Sequence, residues 1–114
     1  MCGILGYYGD YNERFSKNCN LDLISHRGPD NQQFSIEKKS FFGHTRLSIL
    51  DLSSNANQPM FSIDKRYVII FNGEIYNHKQ LRSKFLKDIN FLSTSDTETI
   101  LYGIIKYGKK FILK

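Results

Sequence analysis

No apolar run in this 114-residue chain is long enough to span a membrane, and its start lacks the basic segment and apolar stretch of a secretory leader. Membrane insertion and secretion are therefore not expected, and the cytoplasm is the default location. Cysteine is scarce, with only Cys2 and Cys19 present. A domain with 40% hydrophobic and 14% aromatic residues can bury a core without a disulfide, and a reducing cytosol would keep both thiols free. Internal repeats, linkers and low-complexity tracts are missing too, so residues 1–114 read as one unit. Neither His26, His44 nor His78 has a partner at the spacing of a metal-binding helix face, and no metal is expected.

The charge is +5, which invites a nucleic-acid reading. The lysines are scattered instead of organised, from Lys38 and Lys39 through Lys65, Lys79, Lys84 and Lys87 to Lys109, Lys110 and Lys114. A solvated basic surface is the simpler account, and no nucleic-acid partner is expected.

Short apolar runs at Ile4–Tyr8, Lys39–His44 and Tyr67–Phe71 predict strands, separated by turn signals in "RGPD", "SSNANQP" and "NGE". Two helices follow. Asn77 is placed to cap the first, with Gln80 at the capping-box position and Leu81 and Phe85 one turn apart. Ser95 and Glu98 form the same pattern at the start of the second, whose apolar stripe of Ile100, Leu101, Ile104 and Ile105 ends before Gly108. Strands first and helices afterwards predict an α+β fold with a mainly antiparallel sheet.

Cys2 directly follows the initiator methionine, and its side chain is small enough for Met1 to be removed. A free α-amine with a pKa of about 7.7–8.0 could then accept the thiol proton, making Cys2 both nucleophile and base. Cys19, between two asparagines, reads as an incidental thiol. Three other positions have ordinary explanations: Arg46 as a surface ion-pair residue, Asn72-Gly73 as a turn, and Asp96 as an acidic residue at a helix N-terminus.

Taken in order, "MCGILG", "HRGPD", "GHTRLSILDL", "QPM", "NGEIYN" and "SDTE" resemble the N-terminal glutamine amidotransferase domain of glutamine-hydrolysing asparagine synthetases. That family belongs to the class II amidotransferases of the N-terminal-nucleophile (Ntn) hydrolase superfamily. The resemblance runs from Cys2 to about Tyr107 and implies a four-layer αββα sandwich of mainly antiparallel sheets. It implies Cys2 as nucleophile and the Asn72 side-chain amide with the Gly73 N–H as oxyanion hole. It places Arg46 on the α-carboxylate of L-glutamine, Leu47, Ser48, Ile49 and Leu50 in the pocket wall, and Glu74 and Asp96 beside the α-ammonium. The alternation of residues 47–50 fits a strand. "RGPD" is expected as an ordered turn near the site, without a catalytic role.

By the same resemblance, glutamine hydrolysis needs no cofactor, and ATP and Mg belong to a synthetase domain that is absent here. The sequence departs from the family after Tyr107-Gly108, where "KKFILK" stands in place of the expected strand. The expectation is a sandwich incomplete at its C-terminus, reliant on a synthetase domain, a second polypeptide or a homodimer. Ammonia would pass to an ATP-activated acceptor such as aspartate. The alternative is a truncated, non-catalytic remnant or binding module without a closed core.

Overall fold

Antiparallel pairing dominates the strands of this computed structural model, which describes residues 1–10 and 20–114. Cys19, read above as incidental, lies outside the described residues. The chain divides into two compact units that alternate along the sequence. Unit 1 comprises Met1–Ser48, Asn57–Pro59 and Ile70–Asn72; unit 2 comprises Ile49–Ala56, Met60–Ile69 and Gly73–Lys114. Both units are mixtures of the α+β kind, with short helices and antiparallel strands.

Unit 1 is built on a three-stranded sheet. Strands β1 (Gly3–Tyr8), β2 (Asn31–Glu37) and β3 (Ser40–Arg46) pair in the order β1-β3-β2, so β3 is central. β1 and β3 match two of the expected runs, whereas β2 was not foreseen. Its sequence, "NQQFSIE", is mostly polar, and only Phe34 and Ile36 show the alternation of a half-buried strand. Those two residues lie opposite Gly43 and Phe41 of β3, and the Phe34 and Phe41 rings stack with centroids 5.6 Å apart. The two-residue connection leaves Lys38 at φ 54, a left-handed conformation uncommon for lysine. A 3-10 helix over Leu21–Arg27 precedes β2; the Asn20 side chain accepts from the Asp22 N–H at 2.8 Å and caps it.

Unit 2 carries two helices and a minimal hairpin, β4 (Met60–Phe61) with β5 (Val68–Ile69). Only Val68 and Ile69 of the expected Tyr67–Phe71 run form a ladder. Helix α1 (His78–Phe85) begins after Asn77 as expected, but the Asn77 side chain makes no capping hydrogen bond. Helix α2 (Asp96–Tyr107) starts at Ser95, whose hydroxyl accepts from the Thr97 N–H at 3.1 Å. It ends at Gly108, which has φ 65.

Glu98 corrects the capping-box expectation. Instead of reaching the Ser95 N–H, its carboxylate accepts from the Leu92 N–H at 2.9 Å, the Ser93 N–H at 2.8 Å and the Ser93 hydroxyl at 2.7 Å. The Ser95 N–H is satisfied by the Ser93 hydroxyl at 3.2 Å. Arg82 of α1 adds hydrogen bonds to the Thr99 hydroxyl at 2.6 Å and the Ser93 carbonyl at 2.8 Å, and its guanidinium lies 3.7 Å from the Phe91 ring centroid.

The apolar core of unit 2 joins Leu81, Leu86 and Phe111, with Ile75, Phe85, Ile89 and Phe91 packed against it. Phe111 lies in a final 3-10 segment, Gly108–Leu113, that folds back beside α2. Gly103 makes that return possible, because a Cβ there would overlap the Phe111 ring. Among the described residues, no helix is long and apolar enough to cross a membrane.

Candidate active site

The backbone of β1 carries Cys2 to the end of the sheet, where polar groups from distant parts of unit 1 fix it. The Gly3 N–H donates to the Thr45 hydroxyl at 3.1 Å, and that hydroxyl donates to the Ile24 carbonyl at 3.0 Å. Arg27 Nε donates to the Cys2 carbonyl at 3.1 Å. The sulfur faces the Leu47 backbone twice, accepting from its N–H at 3.4 Å and donating to its carbonyl at 3.7 Å. Cys2 Sγ is thereby held against the residue that follows Arg46.

The "RGPD" segment forms the ordered turn expected, and its contacts exceed those of a connector. Gly28 lies so close to the Thr45–Arg46 backbone that any Cβ would overlap it. The Asp30 N–H donates to the Arg46 carbonyl at 2.9 Å, and Asp30 Oδ2 accepts from the Ser48 N–H at 2.7 Å. These bonds explain a second correction: the expected strand over residues 47–50 does not form. Strand β3 stops at Arg46 because the next N–H groups go to a sulfur and a carboxylate instead of a neighbouring strand.

Arg46 is only 6% exposed, and its Nη1 donates to Asn57 Oδ1 at 2.7 Å. The adjacent Gln58, also buried, accepts from the Phe71 N–H at 2.6 Å through Oε1. Phe71 precedes Asn72, which is exposed. His44, one turn of pleat before Arg46 on β3, has no exposed surface, and neither ring nitrogen makes a hydrogen bond of ordinary geometry among the described residues. Burial holds its pKa down to about 4; the Phe71 backbone opposes that shift and the Arg46 charge assists it.

The other residues singled out from sequence belong to unit 2. Gly73 and Glu74 are exposed, as are Ile49 and Leu50 at 71% and 47%. Asp96 is buried in the first turn of α2, where Oδ2 accepts from the Ile75 N–H at 2.8 Å and ties the "NGEI" segment to the helix. Asp51 anchors its loop to Thr94, accepting from the Thr94 N–H at 2.7 Å. The Ser53 hydroxyl, followed by the Thr94 N–H, holds the Asp51 carboxyl well below the usual range.

Unit 1 therefore contains Cys2, Arg46, Leu47, Ser48 and Asn72, while Ile49, Leu50, Gly73, Glu74 and Asp96 lie in unit 2. Sequence reading assigned no role to Arg27, Asp30, Thr45, Asn57 or Gln58. Arg27 and Asp30 lie in "HRGPD", Thr45 in "GHTRLSILDL", Asn57 in "SSNANQP" and Gln58 in "QPM", but their hydrogen bonds reach residues 11 or more positions away, which local patterning does not reveal. Among the described residues, no group of three His, Cys, Asp or Glu side chains is arranged to hold a metal ion.

A family model for a glutamine amidotransferase domain matches residues 1–114. The chain is 40% identical over 119 residues to an asparagine synthetase [glutamine-hydrolyzing] 2 of Bacillus subtilis, covering 98% of this chain and 16% of that protein. It is 37% identical over 116 residues to the asparagine synthetase [glutamine-hydrolyzing] of Zea mays, covering 98% of this chain and 20% of the relative. Amidase chyE of Penicillium rubens is 39% identical over 92 residues, covering 81% of this chain and 14% of that protein. The chain thus spans a fifth or less of the length of these relatives. With the match extending over all of residues 1–114, the chain belongs to the glutamine amidotransferase domain family.

Proposed function

We propose that this chain hydrolyses L-glutamine to glutamate and ammonia, with Cys2 as an N-terminal nucleophile. The carrying observation is the placement of Cys2 Sγ against the Leu47 backbone, next to buried Arg46. Met1 is 75% exposed, and the bonds from Arg27, Thr45 and Leu47 that fix Cys2 and Gly3 do not involve it. Its removal leaves them in place.

In this mechanism, the freed α-amine accepts the thiol proton as Sγ attacks the γ-carboxamide carbon, and the carbonyl π electrons move to oxygen. The Asn72 amide and the Gly73 N–H are the donors assigned to that oxyanion by family resemblance. Collapse breaks the C–N bond while the amine returns the proton to nitrogen, so ammonia leaves and a thioester remains. Water then hydrolyses the thioester and releases glutamate. Arg46 suits the substrate α-carboxylate because a guanidinium offers parallel donors to two oxygens. The resemblance carries roles to Glu74 and Asp96 at the α-ammonium, and Leu47, Ser48, Ile49 and Leu50 to the pocket wall.

The step itself needs no cofactor. The names of the asparagine synthetase relatives support use of the glutamine nitrogen in asparagine synthesis. By family resemblance, the proposal extends to passage of ammonia to an ATP-activated acceptor such as aspartate, on a synthetase domain or a second polypeptide, with the cytoplasm as the proposed location. The antiparallel sheets are compatible with parts of an Ntn-type αββα sandwich.

The test measures ammonia release from glutamine by protein whose first residue is verified as Cys2. Cys2→Ala is expected to reduce turnover by about 10³-fold or more. Full activity in that variant overturns the mechanism. Glutamine binding without hydrolysis by the unaltered chain favours the non-catalytic binding-module reading.

A further inference from the structure

The "QPM" motif is preceded by Asn57, and together Asn57 and Gln58 touch two parts of unit 1 that chemistry would need to keep in register. Asn57 Oδ1 receives the Arg46 Nη1 hydrogen bond at 2.7 Å. Gln58 Oε1 receives the Phe71 N–H at 2.6 Å, immediately before Asn72. Gln58 is 6% exposed, so withdrawing its oxygen leaves the Phe71 N–H without its acceptor in a poorly solvated place. The two side chains spring from consecutive residues and share one short piece of backbone. This adjacency links the Arg46 contact to the peptide that precedes Asn72.

We propose that Asn57 and Gln58 are paired positioning residues: Asn57 sets the Arg46 guanidinium for the substrate carboxylate, and Gln58 sets the Phe71-Asn72 peptide for oxyanion stabilisation. This rests on the glutaminase reading above. Neither residue touches the reacting atoms in this scheme, and each acts through the group it holds. Small misplacements are costly to a reaction that depends on preorganised donors.

The two halves of the pair make different kinetic predictions. Asn57→Ala is expected to raise KM for glutamine about tenfold with kcat within about twofold, because Arg46 acts on bound substrate before and during reaction. Asn57→Asp, which retains an acceptor oxygen, recovers most of that loss. Gln58→Met is expected to lower kcat about 10- to 100-fold with KM within about twofold, since the oxyanion donor matters as charge develops. Gln58→Glu retains an acceptor and restores most of kcat. Gln58→Asn shortens the side chain and withdraws the acceptor while keeping the amide's polarity, so it decides the matter if the Met variant does not fold.

Kinetics are measured on the full chain with Cys2 verified as its first residue, alongside covalent labelling by a glutamine analogue carrying an electrophile at the γ position. The KM-against-kcat split and its rescue support the pairing. Unchanged kinetic constants per folded molecule, with a lower thermal midpoint, overturn it in favour of a purely structural role. A parent protein that neither cleaves glutamine nor reacts with the analogue overturns the underlying glutaminase reading and this inference with it; an active parent with indifferent variants overturns this inference alone.

Discussion

The unit that carries Cys2 and the unit that carries Asp96 bury polar groups in different ways. In unit 1, Thr45 accepts from Gly3 at the start of β1, while Arg46 and Gln58 bond to Asn57 and Phe71 in loops, and these bonds hold the chain at the margins of regular structure. In unit 2, Arg82, Ser93, Glu98 and Thr99 surround the start of α2, beside an apolar cluster of Leu81, Leu86 and Phe111. A helix can satisfy most of its own backbone groups, so its unit needs side-chain help mainly at the terminus. Side chains at the end of a strand have no such ladder, and their positions depend on individual side-chain bonds.

That contrast is tested most strongly by separating function from stability. Cys2→Ala should abolish glutamine hydrolysis while leaving Tm within about 2 °C, because Cys2 is only half-buried and its backbone bonds persist. Leu86→Ala, at a fully buried position of unit 2, should cost about 2–5 kcal/mol in denaturant unfolding. Equal stability losses from the two substitutions would erase the distinction.

His44 offers a pH-dependent version of the same comparison. Its folded pKa lies below the ordinary 6.5, at about 4, so the unfolded chain takes up the proton first as pH falls. Its contribution is fully present above pH 6.5 and is lost progressively down to about pH 4, amounting to about 3 kcal/mol. An imidazole titration followed by NMR should show a midpoint near 4; one near 6.5 would remove this effect from unit 1. Asp96→Asn should weaken glutamine binding by about tenfold or more through loss of charge toward the α-ammonium, while its remaining amide oxygen can still accept from Ile75. An unchanged dissociation constant by calorimetry would count against the role carried to Asp96. The smallest effect is expected for Ser95→Ala, about 1 kcal/mol in chemical unfolding, from the lost bond to the Thr97 N–H.

The legibility of the sequence followed the same division. Strand β1, the body of β3 and both helices announced themselves because periodicity, caps and Gly108 act over a few residues. Strand β2 did not, since its pairing with β3 is supplied by long-range register and its own sequence is largely polar. The termination at Arg46 was also hidden, because it requires the Cys2 sulfur and the Asp30 carboxylate to arrive from elsewhere. Motifs carried, by family resemblance, the roles proposed for Cys2, Arg46, Asn72, Gly73, Glu74 and Asp96. They did not disclose which neighbours would hold those residues. Glu98 shows the limit even of a strong local pattern: its acceptors were claimed by Leu92 and Ser93 before the capping box could close.

Gly103 extends this lesson to the composition of a helix. Its face is defined by an aromatic ring from the returning segment, so a methyl group there would have to expel Phe111 or bend α2. Helical propensity favours alanine at such a position, but the space available favours hydrogen. The weakest helix former short of proline is thus what permits Phe111 to complete the cluster, and local disadvantage becomes the condition for long-range closure.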